Sequence, residues 1–276
     1  MHLVDLAKKG FLVLDTEPKN APPKINGDPL VHYPLNLQVE LTAICNLHCS
    51  YCYRSSHPQV QENRIPTNQL LNILEELSNH GLQSVELTGG EPMVHKNFLQ
   101  IVQFCCEQFS IVAILTNGTQ FTDTIVEAML PWKRKLFISI SLDSHIPEIH
   151  DKRRGVIGSF KRSTQALRLL AEKGFLTRVS MVTDESNWDD VESTLLLARS
   201  LGATMFAFTP LLPLGRGQKT FSLWNRDPKA IYEQEQEWRR KYQGFIQVLP
   251  EESVIDLQNP GGCGAGYRTY AMDPEG

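Results

Sequence analysis

Three cysteines lie close together in the run Cys45-Asn46-Leu47-His48-Cys49-Ser50-Tyr51-Cys52-Tyr53, spaced C-x3-C-x2-C. Thiolates are favoured ligands of iron–sulfur clusters, and a tight loop can wrap three of them around one cluster face. A four-iron cluster takes four ligands, so three thiolates leave one iron open to a substrate or a cofactor. Two other chemistries use closely spaced cysteines, a zinc site and a redox dithiol. Zinc sites commonly pair two C-x2-C knuckles, and no second one exists here. His48 could complete a zinc set, but it sits inside the loop, and x3 spacing is unusual for a knuckle. Cys105 and Cys106 are adjacent in an apolar helical segment and read as buried structural thiols.

Further polar residues recur downstream. In Thr88-Gly89-Gly90-Glu91-Pro92 two glycines let the backbone approach a ligand, a carboxylate suits an ammonium, and a proline sets the exit direction. Leu115-Thr116-Asn117-Gly118-Thr119 is first a turn signal, with Asn117 a candidate near-site residue. Alternation along residues 138–143 puts Ser139, Ser141 and Asp143 on one face, where polar groups turned inward need partners. Arg153 and Arg154 follow; either could grip a carboxylate as a bidentate fork or be a solvated surface charge. Glu40 and Glu86 lie on strand-like runs where a barrel-facing role and a salt bridge are both open, so no general base stands out. The irregular stretch 210–218, which contains Gly215, Arg216 and Gly217, is placed to shape a substrate mouth.

The elements that must carry these residues repeat. Strand-like runs at 37–42, 84–87, 111–115, 137–142, 176–182 and 204–208 alternate with helical patterns at 69–79, 97–107, 122–129, 160–173 and 189–201, and a charged helix is expected over 229–242. The first helix shows its apolar stripe in Leu70, Leu71, Ile73, Leu74 and Leu77. Gly81, Gly174 and Gly202 stand where left-handed caps are wanted, and Ser159 where an N-cap is. Strict alternation gives parallel strands joined by right-handed crossovers. Six such units make an α/β fold, a partial (β/α)6 TIM-type barrel whose ligands sit at the C-terminal strand ends. The motifs fall just after the strands.

The chain has 276 residues, 41% of them hydrophobic and 21% charged, enough for one large core. A net charge of -4 without a basic block argues against nucleic acid as the partner. No apolar run reaches membrane-span length and no secretory signal is present, so no membrane partner is expected. The six cysteines are too few and too unevenly placed for a disulfide scaffold, which points to a reducing cytoplasm.

The cysteine spacing, with aromatic Tyr51 before the third cysteine, resembles the signature of the radical S-adenosylmethionine (SAM) superfamily, and the later motifs agree in order. The resemblance implies a [4Fe-4S] cluster on Cys45, Cys49 and Cys52 whose open iron chelates SAM. One electron then cleaves SAM to methionine and a 5'-deoxyadenosyl radical that takes hydrogen from the substrate. It also implies cofactor contacts at Tyr51, Gly89, Gly90, Glu91, Pro92, Asn117, Ser141, Asp143 and Arg154. In that reading Glu91 receives the SAM amino group, Ser141 the ribose, and Arg154, with Arg153 as substitute, the SAM carboxylate. The loop at 210–218 resembles one in peptide-modifying members. A ribosomally made precursor peptide, matured by cross-link, epimerisation or excision, is therefore the expected substrate, with flavodoxin or ferredoxin as electron donor. A tetrapyrrole or other small-molecule substrate is the alternative enzyme; a non-catalytic iron–sulfur electron carrier and a zinc scaffold are the alternatives outside radical chemistry.

Three regions are expected: 1–35, a segment with a proline-rich linker; 36–245, the partial barrel; and 246–276, the start of a C-terminal extension. The first holds a short helix and strand that resemble the tail of a leader-recognition module. The last, with Cys263 before a strand-like 267–272, resembles the opening of a SPASM/Twitch extension, where such a cysteine helps hold an auxiliary iron–sulfur cluster. A turn at Asp273-Pro274-Glu275-Gly276 should lead into a returning strand, so the chain is expected to be C-terminally truncated and the auxiliary site incomplete.

Overall fold

Alternating side chains give the sheet two unlike faces, and the helices cover only one of them. The computed structural model describes residues 33–221, 226–246 and 269–276. In chain order it contains β1 (Asn36–Glu40), α1 (Thr67–Asn79), β2 (Ser84–Thr88), α2 (Phe98–Gln108), β3 (Ile111–Thr116), α3 (Asp123–Met129) and β4 (Leu136–Ser141). There follow α4 (Pro147–Arg154), α5 (Ser159–Glu172), β5 (Leu176–Thr183), α6 (Val191–Ser200), β6 (Met205–Pro210), the single turn α7 (Gly217–Thr220), α8 (Pro228–Lys241) and β7 (Thr269–Met272). Among the described residues these strands form one sheet, ordered β6-β5-β4-β3-β2-β1-β7, with every pair parallel. β6 and β7 are its edges, so the barrel is open, as expected for a partial one.

Register lines up the apolar rows. Val39 pairs with Leu87, Leu87 with Ile114, and Ile114 with Ile138, all of them buried. Against this face α1 sets Leu70 and Leu74, α2 sets Phe98, Ile101, Val102 and Cys105, and α5 sets Leu167 and Leu170. Cys105 and Cys106 have no exposure, in keeping with structural thiols. At the β6 edge, Trp238 of α8 lies 5.0 Å from Trp188 and 6.0 Å from Phe208, an aromatic cluster that docks the helix. The opposite face is polar. Gln38 donates to Glu86 at 2.9 Å, Arg178 Nε donates to Ser139 at 3.0 Å, and the Ser139 and Ser180 hydroxyls meet at 2.9 Å.

The structure differs from the expected elements in four places. β1 stops at Glu40, because Thr42 already turns into the cysteine loop. α4 was not anticipated; its sequence PEIHDKRR has no apolar stripe, and Pro147 at its first turn starts it. Ser159 is the first residue of α5 rather than its cap. The capping acceptor is the Asp151 carboxylate, which receives the Gly158 N–H at 2.6 Å, the Phe160 N–H at 2.8 Å and the Ser159 hydroxyl at 2.8 Å. Finally, β7 is a seventh strand of the sheet. It pairs in parallel with β1, Asn36 opposite Thr269 through Val39 opposite Met272, and the Pro274 carbonyl accepts the Ile65 N–H at 3.0 Å. Gly81, Gly174 and Gly202 all have positive φ, as expected of caps. The helix, strand and proline-rich linker expected within residues 1–32 lie outside the described residues, as does Cys263.

The Asp151 cap carries a pH signature. Burial opposes its ionisation, but the Phe160 and Gly158 N–H groups and the Ser159 hydroxyl outweigh it and hold the carboxyl below its usual range. Its contribution is present above the unfolded carboxylate pKa of about 3.9 and is lost as pH falls through the lower folded value. Asp151→Ala should cost ~1–2 kcal/mol at pH 7 in urea unfolding, with the gap from wild type closing toward pH 2. A gap constant with pH would show that the carboxylate is not the cap.

Candidate functional site

The cysteine loop runs out of β1 at the C-terminal edge of the sheet and has neither helix nor strand. Its thiols are free; Cys45 and Cys49 are buried and Cys52 is half-buried. Burial pushes the Cys45 thiol up to about 12 and raises Cys49 as well. Donors are already directed at two of them. The Leu47 N–H lies 3.4 Å and Asn117 Nδ2 3.9 Å from Cys45 Sγ, and Arg154 Nη1 lies 3.8 Å from Cys49 Sγ. N–H donors to sulfur are what thiolate ligands of a cluster use, so this donor set fits a three-thiolate iron–sulfur site. Among the described residues no three His, Cys, Asp or Glu side chains converge to hold a single ion.

The turn after β2 is welded to this loop. Gly90 N–H donates to the Thr42 carbonyl at 2.6 Å and Glu91 N–H to the Ile44 carbonyl at 2.9 Å. A Cβ on Gly90 would stand 2.3 Å from the Ile44 carbonyl oxygen, and one on Gly89 2.4 Å from that of Thr42. The expected close approach is real, but here the two glycines approach the loop's own backbone. Glu91 is fully buried. It accepts the Thr116 hydroxyl at 2.6 Å, the Asn117 N–H at 2.8 Å and the Met93 N–H at 3.2 Å. Burial still pushes its carboxyl up to about 7. Pro92 is buried and opens a short 3-10 turn. Asn117 reaches the loop directly, with Nδ2 donating to Asn46 at 2.8 Å beside Cys45, while its Oδ1 accepts the Thr119 N–H at 2.9 Å.

The end of β4 forms the opposite wall. Asp143 is fully buried, with Arg154 Nε 2.9 Å from Oδ2 and Arg154 Nη2 donating to Oδ1 at 3.1 Å. The Tyr51 hydroxyl also donates to it, and the guanidinium carbons of Arg153 and Arg154 stand 5.0 and 5.5 Å from the Tyr51 ring centre. Burial opposes ionisation of Asp143, but Arg154 and Arg153 outweigh it and hold the carboxyl low. Arg153 pairs with Asp184 at 2.6 Å and donates to the Val182 carbonyl at 2.9 Å. Neither arginine is a solvated surface charge. Their main-chain carbonyls also accept the loop, His48 N–H on Arg154 at 3.1 Å and Ser50 N–H on Arg153 at 2.9 Å.

The expected site residues therefore come together but divide into two kinds. Glu91, Tyr51, Asp143 and Arg154, expected to meet a cofactor, are each engaged within the protein, Glu91 by Met93, Thr116 and Asn117, and Asp143 by Tyr51 and Arg154. Ser141, half-buried at the end of β4, has no hydrogen-bond partner for its hydroxyl among the described residues and remains open to a ligand. Other residues of the site carried no signal in the sequence. Glu62 accepts the Thr42 hydroxyl at 2.7 Å and the Ala43 N–H, and the Tyr53 hydroxyl donates to Glu40 at 2.9 Å. Arg54 pairs with Glu40 at 3.0 Å, so that carboxylate is part of a salt bridge. Each is a single polar residue whose partner is set only by the loop's path.

The Radical SAM superfamily matches residues 39–198. The antilisterial bacteriocin subtilosin biosynthesis protein AlbA of Bacillus subtilis (strain 168) is 32% identical over 245 residues, covering 88% of this chain and 54% of that protein. The AdoMet-dependent heme synthase of Methanosarcina barkeri (strain Fusaro / DSM 804) is 28% identical over 202 residues, covering 73% of this chain and 58% of that protein. The chain thus spans little more than half the length of these curated relatives. Among solved structures, Streptococcus suis SuiB bound to precursor peptide SuiA superposes with a TM-score of 0.73 at 17% identity, over 88% of this chain and 58% of that one, a likeness of fold.

Two substitutions test how the loop is held. Gly90→Ala should cost ~1–3 kcal/mol in urea unfolding and lower the iron bound per chain after anaerobic reconstitution, since a methyl cannot fit against Ile44. Wild-type iron content in that variant would show that the contact is dispensable. Asp143→Asn leaves the Arg154 charge buried without its partner and should cost ~3–5 kcal/mol by the same measurement. A loss below 1 kcal/mol would mean that water or another group replaces the carboxylate.

Proposed function

The chain belongs to the radical SAM superfamily, and on that premise we propose that it is an enzyme that removes hydrogen from a ribosomally made precursor peptide, with a [4Fe-4S] cluster on Cys45, Cys49 and Cys52. The observation that carries this reading is the loop itself: three free thiols at the C-terminal edge of a parallel sheet, with N–H donors directed at two of the sulfurs. When bound, the cluster supplies one electron to SAM, which splits into methionine and a 5'-deoxyadenosyl radical able to abstract hydrogen from the substrate. The chain's own residues bind and orient. Asn117 and Arg154 donate toward the sulfurs, Gly89, Gly90 and Pro92 set the turn against the loop, and Ser141 offers its hydroxyl to the SAM ribose. Glu91 holds the Met93 and Asn117 N–H groups, and Tyr51 and Arg154 hold the Asp143 carboxylate.

The peptide substrate is supported by the likeness to AlbA, whose name places it in bacteriocin biosynthesis. A tetrapyrrole substrate is the second reading, supported by the likeness to a heme synthase. A SPASM-type auxiliary cluster would draw on Cys263 and would need further thiolates, since Cys105 and Cys106 are enclosed against the core. The free thiols suit a reducing cytoplasm, where a flavodoxin or ferredoxin would be the electron donor. Among the described residues no helix is long and apolar enough to cross a membrane.

Anaerobically reconstituted, reduced protein should convert SAM to 5'-deoxyadenosine, followed by mass spectrometry, and Cys49→Ala should abolish the product. Iron-loaded protein that leaves SAM intact would overturn the radical reading in favour of an electron carrier. With a candidate precursor peptide, deleting its leader segment should reduce turnover at least tenfold; indifference to the leader would favour the small-molecule reading.

A further inference from the structure

The irregular loop after β6 is only partly at the surface. Leu212 and Leu214 are exposed, at 58% and 50%, but the loop's centre turns inward onto the cysteines. Arg216 Nε donates to the Cys49 carbonyl at 2.7 Å and Arg216 Nη2 to the Ser56 carbonyl at 2.8 Å. The Arg216 main-chain N–H donates to the Cys52 carbonyl at 2.9 Å. The approach leaves no room for a side chain at Gly215 (φ 54°), where a Cβ would lie 2.1 Å from the Tyr53 carbonyl oxygen. Among the described residues Arg216 has no carboxylate partner, and its side-chain hydrogen bonds all go to main-chain carbonyls of the cysteine segment.

These contacts answer a specific need. A loop without helix or strand turns carbonyls into the protein, and each needs a donor. A planar guanidinium supplies two donors from one rigid group, which an ammonium cannot do in the same geometry. Arg216 and its own N–H together reach the carbonyls of two of the three cysteines and of Ser56, where the segment leaves the site.

We propose that Arg216 is a positioning residue that fixes Cys49 and Cys52 for cluster binding by holding the carbonyls of Cys49, Cys52 and Ser56. The inference rests on the iron–sulfur reading of the three cysteines, and its first test does not depend on it. Amide hydrogen exchange of the full chain, read by mass spectrometry, compares residues 45–56 with α2 as an internal reference. Arg216→Gln should speed exchange in 45–56 on the order of tenfold while α2 stays unchanged, and Arg216→Lys should fall between. Unchanged exchange in 45–56 overturns the proposal, and so does equal acceleration in α2, which would make Arg216 a general support of the fold. In the second test the anaerobically reconstituted protein is challenged with an iron chelator, and the Gln variant should lose iron roughly tenfold faster than wild type. Equal rates would overturn the link to cluster binding even if exchange had changed. Wild-type protein that binds no iron would sink the iron–sulfur reading instead, leaving the exchange result to decide what Arg216 does to the loop.

Discussion

The cysteine loop has no secondary structure, so each main-chain group it buries must find a partner outside a ladder. Those partners come from three parts of the chain far apart in sequence. The β2 turn holds its entry at Thr42 and Ile44, the end of α4 holds His48 and Ser50, and the loop after β6 holds Cys49 and Cys52. Positioning the thiols is therefore a property of the whole parallel sheet, which brings the C-terminal ends of β2, β4 and β6 around one point. A ligand entering such a site meets groups whose ordering cost is already met by folding.

This explains the division between what the sequence revealed and what it hid. The alternation of strands and helices follows local periodicity, and the six expected strands appear in order at nearly the expected residues. The cysteine spacing and the Gly-Gly-Glu-Pro segment were likewise legible, because a short motif carries its own geometry. Roles within the site were less so. Glu91 and Arg154 have the right chemistry for the amino and carboxylate groups of SAM, yet each is engaged by protein groups whose positions depend on tertiary structure. Arg216 gave no sign of its task, since nothing local tells a loop arginine that faces solvent from one that faces a backbone. α4 escaped notice because its polar sequence has no stripe to reveal it; β7 was legible as a strand, but its place beside β1 was not, because that pairing is a contact across most of the chain.

The wall made by β4 and α4 adds an electrostatic constraint. Arg153 and Arg154 stand in the last turn of α4, where a helix end favours cations. Arg154 is shared between the Asp143 carboxylate and Cys49 Sγ. Burial and Asp143 disfavour a thiolate at Cys49 while Arg154 favours it, so the arginine offsets part of the cost of an anionic sulfur there. Without Asp143 the guanidinium would have no anchor; without Arg154 the carboxylate would be a buried charge beside a thiol. A buried ion pair of this kind gains little net stability, and its worth lies in geometry.

The two faces of the sheet complete the argument. The helix-facing rows are largely apolar and close against the core. The concave row of Gln38, Glu86, Ser139, Arg178 and Ser180 is polar and already interconnected. Glu86 is raised by burial and drawn back by Arg178, so the two charges compensate one another within that row. Strands rise about 3.3 Å per residue, which puts Ser141 roughly 7 Å beyond Ser139 toward the cysteine loop. A substrate group entering between them would meet a floor whose hydrogen bonds are satisfied and a rim whose Ser141 hydroxyl is not. Of these two levels it is the rim, beside the thiols, that keeps a hydroxyl without a partner among the described residues.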